Sequence, residues 1–392
     1  MEQAVTKRRG SHLTTLHLSI FLVSFPFGII AFVLPIYSRQ MGASALEIGS
    51  LFSAFSLAAV LLRPLVGRAI DRYGRKPFFL IGIGAYMASM LLFFSAHNLT
   101  YLFLARMTQG VGSAFLWLSA YAMVSDLASG EERGSSFGQV DQRLWQGALV
   151  GTTVGMILTA FLGLEQGWRL TFSSFALLSG LALLLAWIRL EETQKVRLET
   201  EPQPLLGGQL AILMAIVLLT SIAYSIIGPI IMIFLQDRFS TEVGILALAY
   251  LPSALIYSFL PSRMGRIADK VGRRLPMALG LLTGAIFALL LPNLRSLLFL
   301  TILWAAEALA FSAATPAEEA LVADLSGQES RGTAFGLYTF AYSLGSVIGP
   351  PIGGWLYDHW GYASPFYLTT VTLLLGTCLI ALAIKEREPS PS

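Results

Sequence analysis

The chain has 392 residues, 55% apolar and only 12% charged, with a formal net charge of +3. Soluble chains are about 25% charged, so this balance excludes a water-soluble globular protein. Runs of the roughly 20 apolar residues needed to cross about 30 Å of hydrocarbon recur throughout. They are too long and unbroken for the alternating ten-residue strands of an outer-membrane barrel.

In chain order, Lys7-Arg8-Arg9 precedes an apolar run from about Leu16 to Tyr37. The run is too long for a typical secretory h-region and lacks a clear small-residue cleavage site, so it reads as an uncleaved first span. Further spans fall at about 46–66, 77–96, 99–124, 136–163 and 168–188. Residues 189–207 then hold Arg189, Glu191, Glu192, Lys195, Arg197, Glu199, Glu201 and two prolines, a polar linker. Spans resume at about 208–235, 243–263, 275–292, 296–321, 334–356 and 362–384. The expected organisation is a six-helix bundle over 1–188, a cytoplasmic linker over 189–207 and a second six-helix bundle over 208–392. The single cysteine, Cys378, lies in an apolar run and reads as a small packing residue.

The two halves are copies. Gly67-Arg68-Ala69-Ile70-Asp71-Arg72-Tyr73-Gly74-Arg75-Lys76 recurs 198 positions on as Gly265-Arg266-Ile267-Ala268-Asp269-Lys270-Val271-Gly272-Arg273-Arg274, with five of ten positions identical. The same shift aligns 124–138 with 322–336, matching eight of fifteen. One offset registering two separate blocks marks a duplicated unit. Of the 26 Lys and Arg, nineteen fall at the termini, in the even-numbered loops or in the linker, four lie opposite and three lie within spans. The positive-inside rule then puts both termini in the cytoplasm. Because six is even, the halves are parallel repeats about an axis along the membrane normal.

The doubled hairpin fits G-x-x-x-D-[RK]-x-G-[RK]-[RK], which resembles the loop signature of the major facilitator superfamily between helices 2 and 3 and between 8 and 9. Arg106-x-x-Gln109-Gly110-x-Gly112-x-Ala114 is similar to that superfamily's helix-4 pattern and leans toward its proton-coupled drug-efflux branch, and Leu34-Pro35-x-Tyr37 is similar to its helix-1 pattern. The branch usually has G-P-x-x-G-G in helix 5. This chain has Gly151-Thr152-Thr153-Val154-Gly155-Met156 there, and Gly349-Pro350-Pro351-Ile352-Gly353-Gly354 in helix 11. The resemblance implies an all-α integral membrane fold of twelve helices in two pseudo-symmetric bundles. It also implies a secondary transporter working by alternating access. Within it, Asp71, Arg75 and Asp126 would form a cytoplasmic latch with Gly67, Arg72 and Gly74, duplicated by Asp269, Arg273 and Asp324. Arg133 and Arg331 follow their aspartates by seven residues and join the same network. Read without the resemblance, the same charges could simply anchor the loop at the headgroups. Gly67 and Gly74 would permit close helix approach and a positive-φ turn.

Charges inside a bilayer cost about 2.5–3.5 kcal/mol on insertion scales and need partners or water. Arg106 lies in the fourth span, Asp141 and Arg143 in the fifth, and Glu307 in the tenth. Arg63 can snorkel to the interface, and Glu318 and Glu319 are near enough to Asp324 to pair with cytoplasmic basic residues. At the repeat offset, Asp141 and Arg143 become Thr339 and Ala341, whereas Gln109 becomes Glu307 and Arg106 becomes Trp304. A packing role would predict symmetry, so the asymmetry favours a function over a structural ion pair between helices 4 and 5. Asp141 and Glu307 are the expected proton-coupling acids. Arg106 would tune the acid or bind an anionic group, with Arg143 and Gln109 beside it. Trp145, Tyr338 and Tyr342 are the expected aromatic wall of a substrate site.

The expected function is proton-coupled export of small lipophilic or amphiphilic compounds by a monomer in the cytoplasmic membrane, with sodium left open as the coupling ion. Uptake or exchange of a specific metabolite is the alternative, and a non-transporting sensor or lipid-handling protein is the alternative of another class. There is no phosphate-binding loop, no nucleophile elbow and no metal-spaced cluster. The four histidines, His12, His17, His97 and His359, lie near span ends. No enzyme activity, cofactor, metal or nucleic-acid partner is expected; the partners are substrate, protons and membrane lipid.

Overall fold

A computed structural model describes residues 2–127, 133–193, 208–239, 243–261, 263–264 and 270–384, with backbone alone for 2–11, 133–137, 243, 247 and 327–333. Among these residues the chain is all helical. The helices are α1 (Glu2–Val23), α2 (Pro26–Gln40), α3 (Ala45–Tyr73), α4 (Lys76–Phe94), α5 (Leu99–Leu127), α6 (Arg133–Leu162), α7 (Leu164–Arg189), α8 (Gly208–Ile227), α9 (Ile230–Arg238), α10 (Val243–Phe259), α11 (Arg274–Leu290), α12 (Leu297–Trp360) and α13 (Ser364–Ala383). Lipid offers no partner to a bare N–H or C=O, so helices, which satisfy their own backbone, are what the apolar composition demands.

The first span is two helices. Pro26, lacking an N–H, opens α2, and the Ser24 hydroxyl donates to the Ile20 carbonyl at the break, 2.7 Å away. Gly228 and Pro229 divide α8 from α9 in the same manner. Helical backbone continues across α12, but the Tyr338 hydroxyl bonds the Glu318 carboxylate, so this run doubles back and makes two crossings. Counting α1–α2 and α8–α9 as one crossing each gives twelve among the described residues. Nine are long and apolar enough on composition alone. The others are α5, which carries Arg106 and Gln109, the 17-residue α10, and the Gly- and Pro-rich second leg of α12.

The chain divides into two compact units, Met1–Ala43 with Ala54–Glu199, and Ser44–Ser53 with Thr200–Ser392. The first is centred on Phe79, Tyr86, Phe93, Trp168, Phe172 and Phe175, all buried. The Trp168 indole donates to the Phe93 carbonyl (2.7 Å) and its ring stacks on Tyr37 at 4.0 Å. The second is built around α8, α11, α12 and α13, with Leu213, Val217, Met277, Val322 and Leu373 inside. The opening turns of α3 group with this unit. The Asp358 carboxylate accepts the free N–H groups of Ala45 (3.1 Å) and Leu46 (2.9 Å), an N-cap supplied from another helix. Ser53 also donates to the Val347 carbonyl at 2.5 Å.

The duplication reaches packing. On α6, a Cβ at Gly147, Gly151 or Gly155 would collide with Phe21, Phe25 or Ile29. At a shift of 198, Gly345, Gly349 and Gly353 on α12 face Ser221, Ser225 and Ile226 of α8 as closely. Four-residue spacing puts each trio on one helix face, the small-residue seam by which membrane helices gain van der Waals contact without a hydrophobic driving force. Cys378 is exposed on α13 and therefore not the packing residue expected.

Candidate functional site

The signature expected as a hairpin is mostly helix. Gly67 to Tyr73 complete α3, and only Gly74, at φ +99°, and Arg75 turn the chain. The reason lies in i,i+4 geometry, which brings Asp71 Oδ1 to Arg75 Nη2 at 3.2 Å and favours the helical form. Arg75 is 4% exposed and fully engaged: Nε meets Asp126 Oδ2 at 3.2 Å and Nη1 donates to the Ile70 carbonyl at 2.5 Å. Glu192 accepts the N–H groups of Arg75 (2.8 Å) and Lys76 (3.0 Å), capping α4 with charge at its positive end. Thr193 donates to Asp126 at 3.3 Å. Arg72 turns outward over the Tyr73 ring. Gly67 has open space where a Cβ would stand, so the close approach expected there is not made. In the second unit Arg273 Nε meets Asp324 Oδ2 at 3.5 Å. Asp269 and the side chains of Arg133 and Arg331 lie outside the described residues.

Deeper in the first unit, Arg106 is buried on α5. Its Nη1 donates to Gln109 Oε1 at 2.6 Å and its guanidinium sits 4.5 Å from the Phe55 ring centre. Asp141 is on an exposed face of α6 and accepts a short bond from the Tyr121 hydroxyl of α5. Arg143 points elsewhere, donates to Gln146 at 3.0 Å and, with Thr14, His17, Leu18 and Phe21, lines a groove of about 330 Å³. Trp145 is exposed. Asp141, Arg106 and Arg143 thus occupy three separate settings within one unit.

In the second unit the carboxylate is buried. Glu307 is 7% exposed and accepts a hydrogen bond from the Tyr257 hydroxyl of α10 at 2.6 Å. Aromatic rings run along this part of the helix. Trp304, one turn before Glu307, lies 4.9 Å from Tyr250 and 5.9 Å from Phe287. Phe311, one turn after, meets Tyr257 edge-on at 5.8 Å and Tyr224 at 5.4 Å. Farther down, Glu318 is half-buried and bonded by Tyr338, while Tyr342 is 53% exposed. An acid in an aromatic recess can seat a proton or an organic cation, because the ring faces and the carboxylate both attract positive charge.

The sequence matches the Major Facilitator Superfamily over residues 16–260 and 213–392. The chain belongs to that superfamily. Its relatives include Multidrug resistance protein 1 of Bacillus subtilis (strain 168), 25% identical, with 98% of each chain covered. Quinolone resistance protein NorA of Staphylococcus aureus is 22% identical, with 96% of this chain and 98% of that one aligned. Among solved structures, a bacterial homologue of the human lysosomal transporter Spinster, in an inward-facing, unoccupied conformation, superposes with a TM-score of 0.79 at 18% identity, covering 96% and 97% of the two chains. The protein is therefore a multi-pass membrane transporter of the major facilitator fold, and not a member of an enzyme family.

For this transporter the partner hydroxyls were the residues not singled out from sequence. Tyr121 and Tyr257 each share an apolar helix with another tyrosine, Tyr101 and Tyr250, and nothing local separates a carboxylate's donor from a packing ring. The repeat offset held one clue: Tyr257 corresponds to Ala59 as Glu307 corresponds to Gln109, so at these matched positions hydroxyl and acid appear together in the second half and neither in the first.

Proposed function

We propose that this transporter exports small lipophilic or amphiphilic cations in exchange for protons, with Glu307 as the principal coupling acid. The observation that supports the reading is the Glu307 recess: a buried carboxylate held by the Tyr257 hydroxyl and flanked by Trp304 and Phe311. A buried charge needs a neutralising partner. A proton and a cationic substrate would compete for that one seat, which is the logic of antiport. Resistance proteins among the relatives support export rather than uptake. Asp141, bonded by Tyr121 but exposed, fits a second acid on the access route, with Arg106, Gln109 and Arg143 shaping the first half and Trp145, Tyr338 and Tyr342 offering aromatic surface.

In this reading the two halves, 1–188 and 208–392, rock about a shared axis, and both termini and the 189–207 linker lie in the cytoplasm of a cell whose inner membrane holds the protein. The Arg75 cluster with Asp71 and Asp126, repeated by Arg273 and Asp324, acts as a latch that biases which state is populated and leaves substrate choice alone. Sodium is the competing coupling ion.

The test is uptake of radiolabelled tetraphenylphosphonium into inverted proteoliposomes, driven by an imposed pH gradient with sodium absent, comparing wild type with Glu307→Gln and Asp141→Asn. Wild type should concentrate the cation, and Glu307→Gln should not. Gradient-driven accumulation by Glu307→Gln at the wild-type level would remove Glu307 as the coupling acid.

A further inference from the structure

The structure assigns Glu318 as a second proton station, which takes the proton that Glu307 gives up and hands it to water at the Asp324 end of the same helix. The inference rests on the proton-coupled reading above and extends it to a residue outside the substrate recess.

The two acids are eleven residues apart on the first leg of α12. At 100° per residue, eleven steps of a regular helix amount to three turns and about 20°, which sets both carboxylates toward one face, about 16 Å apart along the axis, with Pro316 between them. Their surroundings differ in one respect that matters for a relay. Glu307 is buried, whereas Glu318 is half-buried beside exposed Glu319. Exposure therefore rises along the face toward Asp324, whose side chain is 56% exposed.

The face between them carries hydroxyls. Tyr257 bonds Glu307 at 2.6 Å. Tyr224 of α8 meets Phe311, the residue one turn past Glu307, edge-on, and lies within electrostatic reach of both Glu307 and Glu318. Its hydroxyl makes a long hydrogen bond, 3.5 Å, to the Gly280 carbonyl. Tyr338, on the returning leg of α12, bonds Glu318, and Tyr342, one turn further, lies within electrostatic reach of it. Tyr250 of α10 completes the titratable groups facing Glu307, and Glu319 those facing Glu318. At about 2.8 Å per link, 16 Å needs about five or six hydrogen-bonded steps. Tyrosine hydroxyls supply some and water the rest. The ledger of the step is simple. The Glu307 acid loses one proton, each hydroxyl or water accepts one and passes one on, and the Glu318 carboxylate gains one.

Nothing at the matching positions of the first half repeats this line. Glu307, Glu318, Tyr257 and Tyr338 correspond to Gln109, Ala120, Ala59 and Val140. The relay is a property of one half, as expected of a device added to a duplicated scaffold.

The experiment uses the full chain in proteoliposomes with tetraphenylphosphonium as probe and two readouts: pH-gradient-driven accumulation and cation–cation counterflow at equal pH, each across pH 5.5–8.5. Glu318→Gln should keep counterflow within about twofold of wild type, which also demonstrates a folded carrier. It should slow gradient-driven accumulation at least about tenfold and flatten its pH profile; Glu318→Asp should restore most of the rate, and Tyr338→Phe should give an intermediate loss. Wild-type accumulation and pH profile in Glu318→Gln, together with loss of coupling in Glu307→Gln, would overturn the relay and leave the proposed function standing. Wild-type coupling in Glu307→Gln would overturn both. Equal loss of counterflow and accumulation in both Glu318→Gln and Glu318→Asp would make Glu318 a structural residue and overturn the relay alone.

Discussion

Gln109 on α5 and Glu307 on α12 occupy the same place in a twice-used scaffold, 198 residues apart, and their neighbourhoods have been solved in opposite ways. Gln109 takes its partner from its own helix, Arg106 one turn earlier, and the guanidinium rests on Phe55. Glu307 has Trp304 where Arg106 stands, so it must reach another helix, and Tyr257 of α10 supplies the hydroxyl. The positions opposite trade sizes: Phe55 becomes Ser253 and Ala59 becomes Tyr257. The first half keeps a cation and a neutral amide, the second an acid and a phenol. At this pair of positions one fold thus holds a fixed positive centre and a neutralisable negative one, and only the second could, in the proposed cycle, exchange a proton for a substrate cation.

The comparison breaks most sharply by substitution at these two positions. Glu307→Gln turns the second site into a copy of the first and should cost at least about tenfold in gradient-driven accumulation, equivalent to about 1.4 kcal/mol of coupling. The reciprocal Gln109→Glu places a carboxylate beside Arg106, where an ion pair forms, and should leave accumulation within about threefold. An equal loss in both variants would mean that the difference between the halves has no functional content.

Next in size is Arg106→Met, which strips Gln109 of its donor inside a packed helix seam. Leaving a buried acceptor unsatisfied costs about 1–3 kcal/mol, read as a lower unfolding temperature in detergent; Glu307→Gln, which keeps an acceptor for the Tyr257 hydroxyl, should move that temperature less.

The two arginine–aspartate clusters differ as well. Arg75 is 4% exposed and shares Asp71 and Asp126, whereas Arg273 meets Asp324 at 3.5 Å with the aspartate 56% exposed. Asp126→Asn should therefore destabilise by about 1–3 kcal/mol, and Asp324→Asn by under about 1 kcal/mol, as for other exposed pairs. Paired unfolding curves would show the gap, and equal shifts would remove the distinction. Between these two should fall Gly74→Ala. It places a Cβ at φ +99° and against the Glu192 carboxylate, costing about 1–2 kcal/mol of backbone strain if the carboxylate yields.

Much of this was legible in the residues. Lipid forces helices and spans of a set length, so composition and run length were enough for the class, and an exact offset of 198 was enough for the duplication. The asymmetric residues at that offset, Glu307 for Gln109 and Trp304 for Arg106, mark the second half as different in the letters alone. Partnership was not legible. The signature read as a loop proved to be the last turns of α3, because its Asp71–Arg75 spacing suits a helix. Glu192 lies in what reads as featureless polar linker, yet it caps α4 from 116 residues away.

What the sequence determined by itself is periodicity and period: where lipid-buried helices fall and that one six-helix unit was written twice, since hydropathy and repetition act along the chain. Which acid is buried, and which hydroxyl neutralises it, was decided only when α10 was laid against α12 and α5 against α6. Burial and hydrogen bonding depend on what surrounds a side chain in space: Asp141 and Glu307 are both carboxylates bonded by a tyrosine hydroxyl, yet one is exposed and the other buried.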